Sequence, residues 1–187
     1  MVKERIRSVY EEPPSVDGDP YIRVPNVWDK DPKTIRIDRE TGELITLWEE
    51  KMRYPYKTKV ASKLYVRTSK RTYEFQIKLE NGAYVWNGSN ICRVFWTLLG
   101  INQNSPRGLQ ASKWHDNLLQ FKQDTYNRAR EFKPDITIRE LRNLTTCIYV
   151  RLLINNEINP IKAWFMGLFV NIWQFFNKDW KDIKILG

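Results

Sequence analysis

Apolar and polar residues alternate along two neighbouring segments of the chain, a pattern typical of half-buried β-strands. Over residues 57–67 one face consists of Val60, Ser62, Leu64 and Val66, and the opposite face is basic. Over residues 72–79 the apolar side consists of Tyr73, Phe75, Ile77 and Leu79. Residues 68–71 provide a turn, so the pattern predicts an antiparallel hairpin with a basic outer face. A second hairpin is predicted over residues 34–48, where Gly42 can adopt the positive φ of the turn.

Three segments show the three- and four-residue spacing of apolar side chains that marks amphipathic helices. The first covers residues 89–99, with Ser89 as the N-cap and Gly100 after its end. The second lies within residues 114–132, where the spacing involves Trp114, Leu118, Phe121, Thr125, Ala129 and Phe132. The third begins at Asn159 and Pro160 and continues to about residue 177.

Residues 137–154 carry conflicting signals. Thr137 and Glu140 form a capping box, which favours a helix. The β-branched and aromatic residues that follow favour a strand: Thr145, Thr146, Ile148, Tyr149 and Val150. We therefore predict a short helical turn followed by a strand that ends at Ile154.

The last predicted helix is apolar on most of its surface. Its polar stripe is narrow and consists of Ala163, Gly167, Asn171, Gln174 and Lys178. One interpretation makes it the central core helix, with a core stripe of Trp164, Leu168, Ile172 and Phe175. The other turns part of it toward a membrane interface or another subunit, through Phe165, Phe169 and Trp173. The lysines that would then reach anionic lipid heads are Lys178, Lys181 and Lys184.

Together these elements predict an α+β fold: a single compact domain with a small antiparallel sheet packed against two or three helices, preceded by a flexible N-terminal arm. The arm covers residues 1–33, in which prolines stand among acidic and small residues. The compact basic body covers residues 34–187. Apolar positions on the arm that could anchor it in self-association are Tyr10, Tyr21, Val24, Val27 and Trp28.

Charge also divides the chain. Residues 11–50 carry 11 acidic and 5 basic side chains, whereas residues 51–187 carry 23 basic and 10 acidic ones. A basic body attracts phosphate backbones, anionic lipid heads or acidic protein surfaces, and the acidic arm would screen it or dock on another copy. The predicted contact residues for a nucleocapsid or anionic lipid are those of the basic hairpin: Lys57, Lys59, Lys63, Arg67, Lys70 and Arg71. Basic residues are equally typical of a solvated sheet edge.

Catalysis is not predicted. His115 is the single histidine, it lies in a polar stretch that suits a surface residue, and no glycine-rich elbow accompanies a Ser or Cys that it could activate. Cys92 and Cys147 are the only cysteines, which suits a reducing compartment and gives no metal-binding pattern. We expect no catalytic residue, no metal, no cofactor and no small-molecule substrate. A run of about 20 apolar residues is also missing, so no membrane-spanning segment is expected.

Two parts of the sequence carry a family resemblance. A strand end at residues 66–71 (Val-Arg-Thr-Ser-Lys-Arg) is followed by Trp86 and by an apolar segment over residues 91–100 (Ile-Cys-Arg-Val-Phe-Trp-Thr-Leu-Leu-Gly). Near the end of the chain, a β-branched segment leads into a helix that opens with Asn159-Pro160 and carries Trp164. This order of parts resembles the matrix proteins of rhabdoviruses, in particular a plant-infecting, cytorhabdovirus-like member. Their budding motif Pro-Pro-x-Tyr is incomplete here, because residues 13–16 are Pro-Pro-Ser-Val.

The resemblance implies a structural function in a virion. A matrix protein self-assembles between the helical nucleocapsid and the envelope, condenses the ribonucleoprotein, and supports assembly and budding. The implied partners are further copies of the chain in a helical lattice, the viral nucleoprotein–RNA complex, and the anionic inner leaflet of the membrane. The implied locations are the virion, the host cytoplasm and the inner membrane face. The alternative is a sequence-nonspecific RNA-binding protein that uses the basic hairpin over residues 57–79, although an acidic arm would compete with RNA.

Overall fold

Antiparallel strands and α-helices share the core, which places the protein in the α+β class. The computed structural model describes residues 4–12, 22–23, 35–37, 44–46, 56–58, 61–80, 82, 84–86, 106–176 and 180–184. Its strands are β1 (Ile6–Glu12), β2 (Ile22–Arg23), β3 (Ile35–Ile37), β4 (Leu44–Thr46), β5 (Tyr56–Thr58), β6 (Lys63–Thr68), β7 (Thr72–Gln76) and β8 (Tyr84–Trp86). Its helices are α1 (Pro106–Gln120), α2 (Lys122–Phe132), α3 (Ile138–Asn155) and α4 (Pro160–Phe176).

Three of the longer strands form an antiparallel sheet with the order β1–β6–β7. The predicted hairpin is confirmed between β6 and β7, where Lys63 lies opposite Gln76 and the Thr68 N–H donates to Arg71 O at 2.8 Å across the turn. The start of its predicted first strand instead belongs to β5, which pairs with β8 in another sheet. Successive side chains of a strand point to opposite faces, so alternate residues reach the helices. The buried members of the hairpin include Leu64, Val66, Tyr73 and Phe75.

Two smaller sheets accompany it, one with the order β2–β5–β8 and one formed by β3 and β4. The second predicted hairpin is confirmed by the β3–β4 pair, in which Ile35 lies opposite Thr46. In β8 the rings of Tyr84 and Trp86 are buried and stack with their centroids 5.9 Å apart. The turn predicted at Gly42 and the helix predicted over residues 89–99 lie outside the described residues.

The prediction of a flexible arm over residues 1–33 is wrong for Ile6–Glu12. This segment is β1, which pairs with β6 along its length and buries Val9 and Glu11. Two further residues of the predicted arm, Ile22–Arg23, pair with β5. The alternation of apolar and polar residues does not reveal this strand, because Glu11, one of its inward-facing residues, is acidic. The other residues of the arm lie outside the described part of the chain, apart from residues 4–5.

Residues 114–132 are helical as predicted, but they belong to two consecutive helices that are separated at Phe121. The Thr125 hydroxyl donates to Leu118 O at 2.8 Å across this break. The predicted apolar face is largely confirmed, because Trp114, Leu118 and Ala129 are buried.

The strand predicted to end at Ile154 is wrong, since these residues continue helix α3. The capping box is present: Glu140 N–H donates to the Thr137 hydroxyl at 3.2 Å, and Thr137 N–H donates to the Glu140 carboxylate at 2.9 Å. The hydroxyl of Thr145 donates to the backbone carbonyl of Arg142 at 2.9 Å, so this β-branched residue is satisfied within the helix. Its buried face repeats every three to four residues and includes Leu141, Ile148, Leu152 and Leu153. Tertiary packing along this face overrides the local preference for a strand.

Helix α4 was predicted in extent but not in orientation. Its small residues face α3: Ala163 and Gly167 are buried, and a Cβ at position 167 would clash with Cγ2 of Val150. The two helices therefore approach closely at this point. Of the two interpretations of this helix, the one with a core stripe is wrong, because the four members of that stripe are exposed: Trp164, Leu168, Ile172 and Phe175.

Candidate functional site

The outer face of α4 is the most unusual surface of the described residues. The helix begins where the Asn159 carboxamide oxygen accepts hydrogen bonds from the N–H groups of Ile161 (2.9 Å) and Lys162 (3.4 Å). Its buried residues are Ala163, Met166, Gly167 and Gln174, so most of its large apolar side chains point away from the body. We call this surface the α4 face; its exposed members are Ile161, Trp164, Phe165, Leu168, Ile172, Trp173, Phe175 and Phe176.

The α4 face is large for an apolar surface that contacts water. Its five aromatic side chains are 40–73% exposed. At roughly 150–250 Å² per aromatic side chain, they leave on the order of 600 Å² of apolar surface in water. The largest apolar patch of a typical monomer covers about 300–600 Å², and here three aliphatic side chains add to the aromatic ones. Covering 600 Å² would contribute on the order of 15 kcal/mol before the cost of association.

The predicted contacts on this helix agree with the exposure found. Phe165 and Trp173 belong to the α4 face, and Phe169 is partly exposed. Lys181, in the turn after the helix, is exposed, whereas Lys178 lies outside the described residues. The sequence left the two stripes as alternatives, whereas both are exposed and the small-residue stripe packs inside.

Cations surround the α4 face, while none lies within it. Residues 163–176 include no charged side chain. Lys162 precedes them, Lys181 follows them, and α3 contributes two arginines beside them. The guanidinium of Arg142 lies over the Phe175 ring, with its central carbon 5.4 Å from the ring centroid. The face is therefore an aromatic surface with a basic rim.

Two adjoining cavities lie at the boundary between the rim and the apolar surface. The larger has a volume of about 540 Å³ and is lined by Ile138, Arg139, Arg142, Gln174, Phe175, Trp180 and Lys181. The smaller has a volume of about 240 Å³ and is lined by Arg142, Leu168, Asn171, Ile172, Phe175 and Phe176. Arg142 and Phe175 border both cavities. Both are lined mainly by apolar surface, but three cations border the first and one borders the second.

His115 is mostly buried and contacts α4, whereas the sequence suggested a surface residue. The indole N–H of Trp180 donates to Gln174 Oε1 at 3.0 Å, which leaves the Gln174 amide N–H to donate to His115 Nε2 at 2.5 Å. The other ring nitrogen, Nδ1, then carries the proton and donates to Asp116 Oδ1 at 3.2 Å. Burial raises the pKa of Asp116, and the hydrogen bond with His115 opposes that shift. Through Nε2, His115 thus joins α1 to α4, whereas its Nδ1 contact with Asp116 lies within α1.

Acidic partners offset part of the positive charge that the sequence of the basic hairpin suggests. Lys63 forms an ion pair with Glu74 at 2.9 Å, and this hydrogen bond raises the pKa of Lys63. Arg71 forms an ion pair with Glu4 at 3.2 Å and donates to Phe132 O at 2.6 Å. Of the six predicted contact residues, Lys59 lies outside the described residues and Lys57 is described only in its backbone pairing. The remaining exposed pair is Arg67 and Lys70.

Two arginines that the sequence analysis did not select join this pair. Arg5 lies beside the β6–β7 turn, where Ser69 N–H donates to its carbonyl at 2.9 Å. Arg7 is the extra residue at the register shift in β1, and both arginines are exposed. The signal available in the sequence was the net charge of +2 over residues 1–10. A basic group therefore exists at this end of the sheet, with different members than predicted.

Of the five predicted anchors on the arm, the structure describes one and leaves four outside the described residues. Tyr10 is exposed on β1, and its ring stacks on Tyr65 with the centroids 5.0 Å apart. This contact is within one chain and occupies one side of the Tyr65 ring. The other predicted anchors lie outside the described residues: Tyr21, Val24, Val27 and Trp28.

A buried ion pair fixes β1 to α1. Glu11 Oε1 lies 2.5 Å from Lys113 Nζ, and both side chains are almost fully buried. Ser62 also donates to Glu11, and Gln110 donates to it at 2.8 Å. Burial acts to raise the pKa of Glu11, but the charge and hydrogen bond of Lys113, with the other two donors, lower it overall. Burial lowers the pKa of Lys113, against the charge of Glu11.

Comparison of the chain with protein-family models, curated proteins and solved structures gave no match. Among the described residues, no helix has the length and apolar character needed to cross a bilayer. The described part of the chain also holds no group of three His, Cys, Asp or Glu side chains placed to bind a metal ion.

Proposed function

We propose that this chain is a non-enzymatic assembly protein of the matrix type, which docks peripherally on an anionic membrane through the α4 face. The observation that carries the proposal is the aromatic surface of α4, exposed along the whole helix and bordered by cations. A helix with Trp, Phe and Leu on one side and nearby Lys and Arg suits the plane of a membrane interface. At 17 residues, α4 would extend about 26 Å along that plane.

Charge favours a membrane over a second copy as the partner of this face. Two copies joined symmetrically through α4 would bring their Lys162, Arg142 and Lys181 side chains toward one another. Like charges across an interface disfavour association. An anionic lipid surface would instead attract the same residues, with roughly 1 kcal/mol from each basic side chain near it.

Docking on a membrane leaves the rest of the body available for the other activities that the sequence resemblance implies. These are lateral self-assembly into a helical lattice and contact with a nucleoprotein–RNA complex, between nucleocapsid and envelope. The basic group at the end of the sheet belongs to elements other than α4, and it supports a contact with a second polyanion. Its members are Arg5, Arg7, Arg67 and Lys70.

Flotation with lipid vesicles tests the proposal. The full chain should float with vesicles of phosphatidylcholine and phosphatidylserine, and the double variant Trp173→Ser, Phe176→Ser should lose most of that binding. Tyr10→Ser is the matched control, because it removes an exposed aromatic ring from the sheet and should leave flotation unchanged. Both changes are at exposed positions, so the melting temperature should remain close to that of the unmodified chain. Equal flotation of the α4 variant and the unmodified chain would contradict the proposal.

The same basic group supports a second candidate, sequence-nonspecific RNA binding. Affinity for single-stranded RNA would then fall steeply with salt, and Arg67→Gln, Lys70→Gln would reduce the salt slope by about 2. If this variant binds RNA as the unmodified chain does, RNA binding through this group is excluded.

A further inference from the structure

We infer that the larger cavity beside α4 binds the phosphate of one anionic glycerophospholipid headgroup, while the smaller cavity receives the start of an acyl chain. The inference rests on the proposed membrane docking and gives it a specific lipid site. The lining of the larger cavity combines apolar side chains with three cations: Arg139, Arg142 and Lys181.

These three cations lack carboxylate partners among the described residues. The acidic residues next to them in sequence are already paired, Glu140 with Lys133 at 2.6 Å and Asp182 with Lys122 at 3.2 Å. Within the described part of the chain, no carboxylate lies between these three cations, so they repel each other, and an anion placed between them would remove that repulsion.

Arg142 is held in position without using its hydrogen-bonding capacity. Its guanidinium packs over Phe175, and within the described part of the chain its buried Nε–H has no acceptor. Its terminal nitrogens likewise make no hydrogen bond to any described residue. A planar guanidinium fixed in this way is suited to two parallel hydrogen bonds with a phosphate.

The N-terminus of α3 contributes less than its location suggests. The larger cavity borders the first turn of α3, where a helix dipole favours anions. The carboxylate of Glu140, however, already accepts the Thr137 N–H at 2.9 Å. The side chains of Arg139, Arg142 and Lys181 must therefore provide most of the attraction for a phosphate.

The neighbouring apolar cavity favours a lipid over a free anion or a nucleic acid. It adjoins the basic cavity at Arg142 and Phe175, and its lining includes Leu168, Ile172 and Phe176. A ligand that fills both cavities needs a phosphate at one end and a hydrocarbon chain at the other. A glycerophospholipid has this construction, and its remaining chain would stay in the bilayer on which α4 lies.

The first experiment measures the preference of the full chain for anionic vesicles. Arg139→Gln, Lys181→Gln should lower partitioning onto phosphatidylcholine–phosphatidylserine vesicles about 30-fold and leave partitioning onto pure phosphatidylcholine vesicles unchanged. Arg67→Gln, Lys70→Gln removes the same charge from the sheet and should lower partitioning less than threefold. An equal loss in both variants would show that only net charge matters and would overturn the inference.

The second experiment separates a lipid site from a free-anion site. Short-chain dihexanoyl phosphatidylserine, titrated below its micelle concentration, should shift the Arg142 Nε–H resonance in a nitrogen–proton spectrum. Inorganic phosphate should need at least tenfold higher concentration for the same shift. Equal potency of the two ligands, or no shift with the lipid, would overturn the inference. If the lipid shifts the resonance but vesicles are not bound, the site stands and the proposed docking fails.

Discussion

Replacing Glu11 by Gln would test how strongly β1 is joined to the body. The change keeps the shape of the side chain but removes the charge that faces Lys113, whose side chain is only 1% exposed. The ammonium would then be buried beside a neutral amide. Lys113 also lies near the Trp114 ring, at 5.5 Å from its centroid, but a cation–π contact cannot replace a carboxylate.

The expected loss is large. Breaking a buried ion pair by removing one partner typically destabilises a protein by about 3–5 kcal/mol, because the remaining charge is left uncompensated. A domain of this kind has about 5–15 kcal/mol of stability, so Glu11→Gln should remove a substantial part of it. Removing both charges with apolar residues of similar volume, Glu11→Leu with Lys113→Met, should recover most of the loss.

Urea unfolding followed by tryptophan fluorescence measures these differences. Glu12→Gln is the matched control, since it removes the neighbouring exposed carboxylate from the same strand and should change stability by less than about 0.5 kcal/mol. A cost below about 1 kcal/mol for Glu11→Gln would refute the assignment of a buried pair. Deletion of residues 1–12 should likewise prevent stable folding, in contrast to removal of a flexible arm.

The pair also predicts an acid limit to stability. The pKa of Glu11 in the folded protein lies below its ordinary value of 4.5. Its contribution is therefore complete above that value and is lost as the pH falls through the lower folded-state pKa. Stability of the unmodified chain should decrease more steeply than that of Glu11→Gln below about pH 4.5.

Three further outcomes are expected. Gly167→Ala should cost about 1–3 kcal/mol in urea unfolding, because its Cβ meets Val150 and must separate α3 from α4; an unchanged midpoint would contradict this close approach. Leu168→Ala should cost less than about 1 kcal/mol and Met166→Ala about 2–5 kcal/mol, since Leu168 is exposed and Met166 is buried. Burial and the nearby Glu4 raise the pKa of Tyr73 to about 12, so in absorbance titration one tyrosine should ionise near that pH and folding stability should fall above about pH 10.

Local patterns predicted the elements whose preferences agree with their packing. The alternation of apolar and polar residues identified the β6–β7 hairpin, because one of its faces is buried and the other is exposed to solvent. The capping box at Thr137 and Glu140 located the start of α3. Its later residues were misassigned, because their preference for strands is weaker than the stabilisation from packing on α1 and α4.

Contacts between residues far apart in the sequence account for the other differences between prediction and structure. The inward position of Glu11 in β1 is tolerated only because Lys113 lies 102 residues further along the chain, and no local pattern reveals that partner. Side-chain size favoured the interpretation of α4 that places Trp164 inside, and the sequence left an exposed aromatic side as the alternative. The actual contact selects the smallest residues, because Gly167 must let two helix backbones approach.

The separation of Glu11 from Lys113 also affects how the chain folds during its synthesis. At about 5–20 residues per second, the ribosome makes Lys113 roughly 5–20 s after Glu11. During that interval β1 has no buried countercharge, so its pairing with β6 lacks the ion pair that fixes it in the complete chain. On a polysome, where nascent copies are close together, the first strand of one copy can therefore pair with the hairpin of the next. An exchange of β1 between neighbours would use the same hydrogen bonds and the same ion pair as the closed monomer.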